Sequence, residues 1–305
     1  MTNLKPNIIA IALSFFAIYI IWGSTYLFVA FAVEEVPPLK LASIRFLIAS
    51  VAIFFICLFT TDLKQLRWNQ IKHSMIAGFM FLTLGNGAMT YALQFIDSGF
   101  SALIISAQPL IIIFMLRIME NVKISPKAII GCVLGIIGMY LLVSQKNLIS
   151  GPNQWKGLLA ITSCLFTWGY ASLYVRNVEL PKSLFVNSAI QMAFASVSLI
   201  ILSFVFREAS VDWFSLKDIT YFSILYLIIF GSVAAFTAFN FLLQHIEPEK
   251  VATSTYINPL VAILLGWYFR DELVTSQTLV AAGILLLGVY FINTNKKKGV
   301  EKESM

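Results

Sequence analysis

The chain of 305 residues is 59% hydrophobic and only 12% charged, and its mean hydropathy is +0.85. Soluble domains carry about twice this share of charged residues. The composition therefore excludes a soluble globular domain, a disordered chain and a secreted disulfide scaffold. The net charge is +6, but the basic residues lie mainly between apolar segments. The charge therefore indicates orientation in a membrane, and we expect no nucleic-acid partner.

Ten apolar segments follow one another along the chain, each close to the roughly 20 residues that a helix needs to cross a bilayer. They are continuously apolar, which predicts helices. The first, from Ile8 to Val33, is much longer than the apolar core of a signal peptide, so we expect it to be retained. The predicted spans are residues 8–33, 38–60, 73–95, 98–119, 126–144, 155–176, 182–206, 217–243, 248–269 and 275–294.

Basic residues mark one side of the membrane. With the N-terminus in the cytoplasm, fourteen Lys and Arg residues fall in cytoplasmic segments and six in external segments. The positive-inside rule therefore places both termini in the cytoplasm, in agreement with an even number of spans. The six external residues are Lys40, Lys146, Lys156, Arg207, Lys217 and Arg270.

An internal repeat relates the two halves of the chain. Trp22-Gly23 in the first span recurs as Trp168-Gly169 in the sixth. At a constant offset of 150, Leu93-Gln94, Pro109-Leu110, Gly138 and Tyr140 recur as Leu243-Gln244, Pro259-Leu260, Gly288 and Tyr290. Because each half has five spans, the halves have opposite orientations, as in many transporters. The sequence thus predicts an all-α integral membrane protein of ten transmembrane helices in two inverted five-helix repeats.

With these residues the chain resembles the drug/metabolite transporter superfamily, in particular its ten-helix group with paired EamA domains. The shared residues are Trp22-Gly23-Ser24, Arg45-Phe46, the fourth-helix prolines Pro109 and Pro259, the acid Glu272 thirteen positions after Pro259, and the fifth-helix glycines Gly131, Gly138 and Gly288. Two positions depart from the family pattern, because Val122 replaces the acid of the first half and Ala281 replaces a glycine.

The resemblance implies a carrier of small metabolites in a bacterial inner membrane. We expect two EamA-like repeats at 1–148 and 149–295, followed by a basic cytoplasmic tail at 296–305. The expected partners are a small-molecule substrate and the lipid bilayer, with no cofactor and no metal, and a monomer would hold a complete site. The family transports amino acids, nucleosides and drugs, so the resemblance does not name a substrate.

Polar and aromatic side chains in the middle of a span are the candidate substrate-binding residues, since polar groups are costly in lipid and usually face a cavity. They concentrate on spans one, three, four, six, eight and nine, the spans that line the cavity in family members. The candidates are Trp22, Thr25, Tyr26, Asn86, Thr90, Tyr91, Ser106, Gln108, Trp168, Tyr170, Ser172, Asn240, Tyr256 and Asn258.

Some of these residues have a second interpretation. Trp22 and Trp168 lie about fourteen residues into their spans, deeper than an interfacial aromatic belt, where they line a cavity or pack between helices. Gln108 and Asn258 each precede a proline, which frees a backbone carbonyl. Their amides contact substrate or satisfy that carbonyl.

A further group of residues has a predicted structural or gating role. Arg45 is a charge well inside a span, where it caps carbonyls, snorkels or binds a substrate carboxylate; the resemblance favours structure, because family members usually have arginine here. Pro109 and Pro259 predict kinks. Gly85 and Gly87 permit close helix packing or form a flexible gate.

The predicted function is a secondary carrier of neutral or zwitterionic metabolites, such as amino acids or drug-like analogues, exporting by alternating access. No acid lies at the centre of a span, which argues against proton exchange through a buried carboxylate. We expect a cavity without fixed charge, unsuited to sugar phosphates. A channel-like facilitator is the alternative, and a membrane-embedded enzyme is less favoured because no catalytic constellation is present.

Overall fold

The computed structural model describes residues 8–60, 66–119, 121, 126–144, 153–246, 251–252 and 254–293. Every regular element within them is helical, and the helices form ten consecutive segments. Their bounds are α1 Ile8–Ala32, α2 Pro38–Thr60, α3 Trp68–Ala92, α4 Ser98–Met119, α5 Pro126–Val143, α6 Gln154–Arg176, α7 Leu184–Val205, α8 Asp218–His245, α9 Ser254–Arg270 and α10 Ser276–Asn293.

The predicted helical membrane fold is confirmed. Six segments, α1, α2, α4, α6, α7 and α8, are long and apolar enough to cross a membrane, and shorter apolar helices lie within α5, α9 and α10. α3 begins five residues earlier than predicted, at Trp68. Its polar first turn, with Asn69, Gln70 and Lys72, carries no apolar signal, although it continues the helix. The predicted tail at 296–305 lies outside the described residues.

The helices pack as two related halves. α2 packs along α7, and α5 packs along α10. α1 contacts α8 and α9, while the equivalent α6 contacts α3 and α4. In the α5–α10 seam, a Cβ on Gly288 would lie 2.8 Å from the Gly131 carbonyl oxygen. The fifth helices therefore approach each other through glycine, and the first helix of each half crosses to the third and fourth helices of the other.

In the described part of the chain, three helices contain a π-helical stretch, in which the backbone N–H groups bond to the fifth preceding residue. These stretches are Ala17–Ile21 in α1, Phe79–Asn86 in α3 and Leu227–Ala234 in α8. The stretches in α3 and α8 occupy equivalent positions in the two halves. π-Helical turns change the direction of the following side chains and are frequent at functional sites.

One end of the bundle, here called the charged end, carries Glu34, Glu35, Glu208, Arg270 and Glu272. Glu208 accepts hydrogen bonds from the backbone N–H groups of Leu39 and Lys40 at the start of α2. Glu35 accepts from the Thr220 hydroxyl and the Lys217 N–H at the start of α8, and these bonds hold the pKa of Glu35 below its ordinary value. Each carboxylate thus caps a helix of the other half, where the helix dipole favours negative charge.

Glu272 caps α4 in the same way, and its replacement tests how much such caps stabilise the bundle. Its carboxylate accepts from the Ser98 and Gly99 N–H groups, each at 3.0 Å. We expect Glu272→Gln to lower the thermal unfolding temperature of the detergent-purified protein by about 2–6 °C, since a lost cap costs about 1–2 kcal/mol. The matched control is Asp271→Asn at the neighbouring exposed position. Equal unfolding temperatures for the two variants would contradict the capping role.

Candidate functional site

A central cavity of about 90 Å³ lies between helices of both halves. On the scale in which one water needs about 10–15 Å³, it holds several waters or part of a small solute. Most of its wall is apolar, with Phe46, Leu82, Met89 and Phe236 among the lining residues. Eight predicted candidates also line it: Trp22, Thr25, Tyr26, Asn86, Gln108, Trp168, Ser172 and Asn258.

Four aromatic rings, Trp22, Phe81, Trp168 and Phe239, form a cluster, and all but Phe81 line the cavity. The indoles of Trp22 and Trp168 meet edge to face at 5.5 Å between centroids. Phe239 lies 5.0 Å from Trp22 and 5.2 Å from Trp168, and Phe81 lies 4.9 Å from Trp168. Such pairs contribute about 0.5–1.5 kcal/mol beyond burial. The two tryptophans therefore pack between helices and also line the cavity.

The amides before the two prolines bridge the halves of the bundle. Gln108 Nε2 in α4 donates to the Leu165 carbonyl of α6 at 3.0 Å. The Asn258 amide is oriented with its nitrogen toward the neighbouring carbonyls. In this orientation the nitrogen donates to the carbonyl oxygens of Ile18 and Tyr19 in α1, at 3.0 and 2.8 Å. Both carbonyls of α1 lie in the π-helical stretch. Each amide thus joins the fourth helix of one half to the first helix of the other, and both also border the cavity.

Arg45 belongs to the cavity wall, which corrects the expectation of a cavity without fixed charge. The side chain is 4% exposed, and its Nε donates to the Ser232 hydroxyl of α8 at 2.7 Å. The guanidinium Cζ lies 4.9 Å from the ring centre of Phe46. The sequence placed Arg45 in a span, but its inward direction follows from the packing of α2 against α8.

Five predicted candidates lie away from the central cavity, and a sixth has no described side chain. The Thr90 and Ser106 hydroxyls bond to the carbonyls of Asn86 and Leu103 within their own helices. Tyr91 packs against Phe95. The side chain of Tyr256 lies outside the described part of the structure.

Tyr170 and Asn240 also point elsewhere. Tyr170 is 42% exposed and stacks on Tyr174, because two positions along a helix turn its side chain about 200° from Trp168. Asn240 joins a buried polar network in which its Nδ2 donates to Ser188 and its Oδ1 faces Asn187 and Gln191. This network links α7 and α8 and borders a second cavity.

The residues with predicted structural roles are closely packed. A Cβ on Gly85 would collide with the Trp168 indole, and a Cβ on Gly87 would lie 2.8 Å from Leu199 Cδ2. α4 is interrupted at Ser106-Ala107, two residues before Pro109, whereas α9 continues through Pro259. Both glycines therefore lie in close contacts between helices, and the break in α4 lies just before Gln108-Pro109.

Sequence reasoning missed the apolar and glycine lining contributed by α8. Gly231, Phe236, Phe239 and Leu243 line the cavity. The last three are spaced at three and four residues, which is one helix face. That spacing was a usable signal, but it is common to every buried helix. A search restricted to polar residues and tryptophans does not recover it.

The cavity extends away from the charged end. Its lining includes Leu243 at the end of α8 and Val251 and Ala252 just before α9. Leu243 also borders the second cavity, of about 460 Å³, which is lined by Arg176, Lys182 and Asn187 among others. The charged end is instead closed by contacts between the halves, including the Arg270–Glu34 ion pair at 2.6 Å.

A ten-helix apolar bundle with a cavity between two related halves defines a membrane protein of the transporter class. The model of the EamA-like transporter family matches residues 9–144 and 155–294. The chain therefore belongs to the EamA-like transporter family, and the resemblance stated from its motifs is confirmed. The two matched segments are the paired copies that the internal repeat predicted.

Relatives align along nearly the whole chain. The inner membrane transporter YedA of Escherichia coli (strain K12) is 31% identical over 283 residues, covering 92% of this chain and 90% of YedA. The transporter YoaV of Bacillus subtilis (strain 168) is 22% identical over 290 residues, covering 94% and 97% of the two chains. A solved crystal structure has a TM-score of 0.66 at 16% identity and covers 93% of this chain and 96% of that chain, which supports the fold.

Proposed function

We propose that the protein is a secondary carrier that exports small organic metabolites, such as amino acids, across the bacterial inner membrane by alternating access. The observation that carries the proposal is the central cavity between two inverted halves, which is closed at the charged end and extends toward the opposite end. Inverted halves that rock around a shared site expose it to one side at a time. The inner-membrane location is supported by the similarity to the inner membrane transporter YedA.

The ion pairs across the charged end are those expected of a closed gate. Arg270 of α9 pairs with Glu34 after α1, and Lys217 before α8 pairs with Glu35 at 3.7 Å. Each pair joins one half to the other. At the opposite end the described ion pair, Arg67–Glu179, is 3.8 Å long and largely exposed. With the positive-inside orientation, the charged end is external and this structure is an inward-facing state.

A carrier explains these features better than the alternatives. A channel-like facilitator needs a continuous path, whereas the charged end is sealed by capped helices and ion pairs. A membrane-embedded enzyme is disfavoured by membership in a transporter family. Saturable exchange of solute across the bilayer separates a carrier from a channel.

The experiment compares metabolites in the medium of cells that express the native chain, Trp168→Ala or Trp267→Ala at equal membrane abundance. Trp267 is the matched control, because it is 58% exposed on α9 and does not line the cavity. We expect a few related metabolites to accumulate at least about ten-fold less with Trp168→Ala than with the native chain or the control.

Counterflow in proteoliposomes, with the metabolites found in the medium as probes, then tests the carrier mechanism. Saturable exchange supports it. Flux that does not saturate and shows no exchange would favour a channel, and identical media together with no counterflow of amino acids would refute the proposed function.

A further inference from the structure

Arg45 is a buried cation in the lining of the central cavity. Its described hydrogen bond is made by Nε, to the Ser232 hydroxyl. Within the part of the chain that the structure describes, no carboxylate lies within ion-pair distance of Arg45, and no acceptor is bonded to its Nη1 or Nη2. A buried arginine without a counter-ion is costly, and an anionic ligand would offset that cost.

The α8 backbone forms a seat for the guanidinium. Ser232 lies in the π-helical stretch, where its hydroxyl donates to the Leu227 carbonyl at 3.0 Å while it accepts from Arg45. At Gly231 a Cβ would lie 3.2 Å from Arg45 Nη2 and 3.0 Å from Thr25 Cγ2. The indole N–H of Trp22 donates to the Gly231 carbonyl at 3.2 Å. The seat therefore fixes Nε, while Nη1 and Nη2 have no hydrogen-bond partner among the described residues.

The surroundings select the kind of anion. Among the described residues that line the central cavity, Arg45 is the charged side chain, and the others are mainly apolar or aromatic. One planar guanidinium binds one carboxylate through two parallel hydrogen bonds, whereas a phosphate group usually requires several cations. The aromatic cluster and Phe46 offer apolar surface to the rest of the solute.

Positively charged side chains line the second cavity, as Arg45 lines the central cavity. Arg176 and Lys182 line it, its described lining contains no Asp or Glu, and Leu243 lines both cavities. A cavity lined by one sign of charge raises the local concentration of the opposite ion. The approach to the central cavity from this end therefore favours anionic groups over cations.

We propose that Arg45 recognises a carboxylate and that the transported solute combines one carboxylate with an apolar body. The proposal rests on the proposed carrier function and specifies its substrate class. Ser232 and Gly231 act as positioning residues that hold the guanidinium with its terminal edge toward the cavity. The amide Gln108 and the aromatic cluster border the remainder of the solute.

The test uses three probes that share the same isobutyl chain and differ in their charged groups: leucine, 4-methylpentanoate and leucinamide. Their binding to the full-length protein in detergent is measured by ligand-induced increases in unfolding temperature, titrated to obtain dissociation constants. We expect leucine and 4-methylpentanoate to bind the native protein at least about ten-fold more tightly than leucinamide, since hydrogen bonds to charged groups are the stronger ones. Leucinamide binding as tight as leucine binding, or no binding of any probe, would overturn the proposal.

Variants separate recognition from structural support. Arg45→Gln is expected to weaken binding of both carboxylates at least about ten-fold and to leave leucinamide unchanged. Arg45→Lys keeps the charge but lacks the planar fork, so we expect an intermediate loss. A variant that unfolds more easily but keeps the native ratio between carboxylate and amide would show a structural role instead. If Arg45→Gln does not fold, the comparison of the three probes on the native protein decides.

Different results would refute the carrier function and the recognition of a carboxylate by Arg45. Counterflow of a metabolite without a carboxylate would refute carboxylate recognition and leave the carrier standing. Binding of the carboxylates without any counterflow would refute the carrier and leave the Arg45 site standing.

Discussion

Tethering residue 34 to residue 270 is expected to stop counterflow completely. The side chains of Glu34 and Arg270 form a 2.6 Å ion pair that joins the two halves at the charged end. The proposed alternating access requires this end to open once in each cycle, so a covalent tether would hold it closed. The variant carries Glu34→Cys and Arg270→Cys in a background without Cys57, Cys132 and Cys164, and the tether is a short, reducible bifunctional thiol reagent.

The measurement is solute counterflow in proteoliposomes before tethering, after tethering and after reduction. Before tethering, we expect counterflow near that of the cysteine-free background. After tethering we expect no counterflow above background, and after reduction we expect it to recover. A monofunctional reagent of the same chemistry is the control, because it modifies both cysteines without joining them. Full counterflow at quantitative cross-linking would show that the charged end does not open during transport.

Gly85→Val is expected to reduce counterflow at least about ten-fold and to lower the unfolding temperature by several degrees. A Cβ at this position would collide with the Trp168 indole. Trp168 is confined by Trp22, Phe81 and Phe239, so the indole has to move toward the cavity or the helices have to separate. Overpacking of this kind costs about 1–3 kcal/mol.

The matched control is Gly283→Val in α10, where an added Cβ would have no neighbour within 4 Å. A second variant, Gly85→Ala with Trp168→Leu, is expected to recover stability relative to Gly85→Ala, because the smaller side chain removes the collision. Residues in contact show such non-additive effects. Additive effects of the two substitutions would refute direct packing of Trp168 on Gly85.

The inverted repeat shows how far sequence comparison reaches. The offset of 150 placed Gln108-Pro109 and Asn258-Pro259 at equivalent positions, and the structure gives both amides the same kind of partner on the opposite half. What the sequence did not reveal is that the partners lie on α6 and α1. That exchange between halves is a property of how the two repeats pack.

Arg45 illustrates the limit for single residues. Its charge and depth in α2 were evident, and binding of a carboxylate was one of its interpretations. Whether its side chain lines a cavity depends on the packing of α2 against Gly231 and Ser232 of α8, and Ser232 lies 187 residues away in the chain. The π-helical stretch that presents them has no recognised sequence pattern here.

The sequence by itself determined the membrane class, the helical segments, the duplicated arrangement and the family, because these depend on hydropathy and on motifs read along the chain. Only the tertiary structure decided which polar side chains meet. Trp168 and Ser172 face the cavity, whereas Tyr170 between them faces outward. Each residue turns a helix by about 100°, and each π-helical stretch shifts that phase. The face that reaches the cavity is therefore set by the packing of one helix against another.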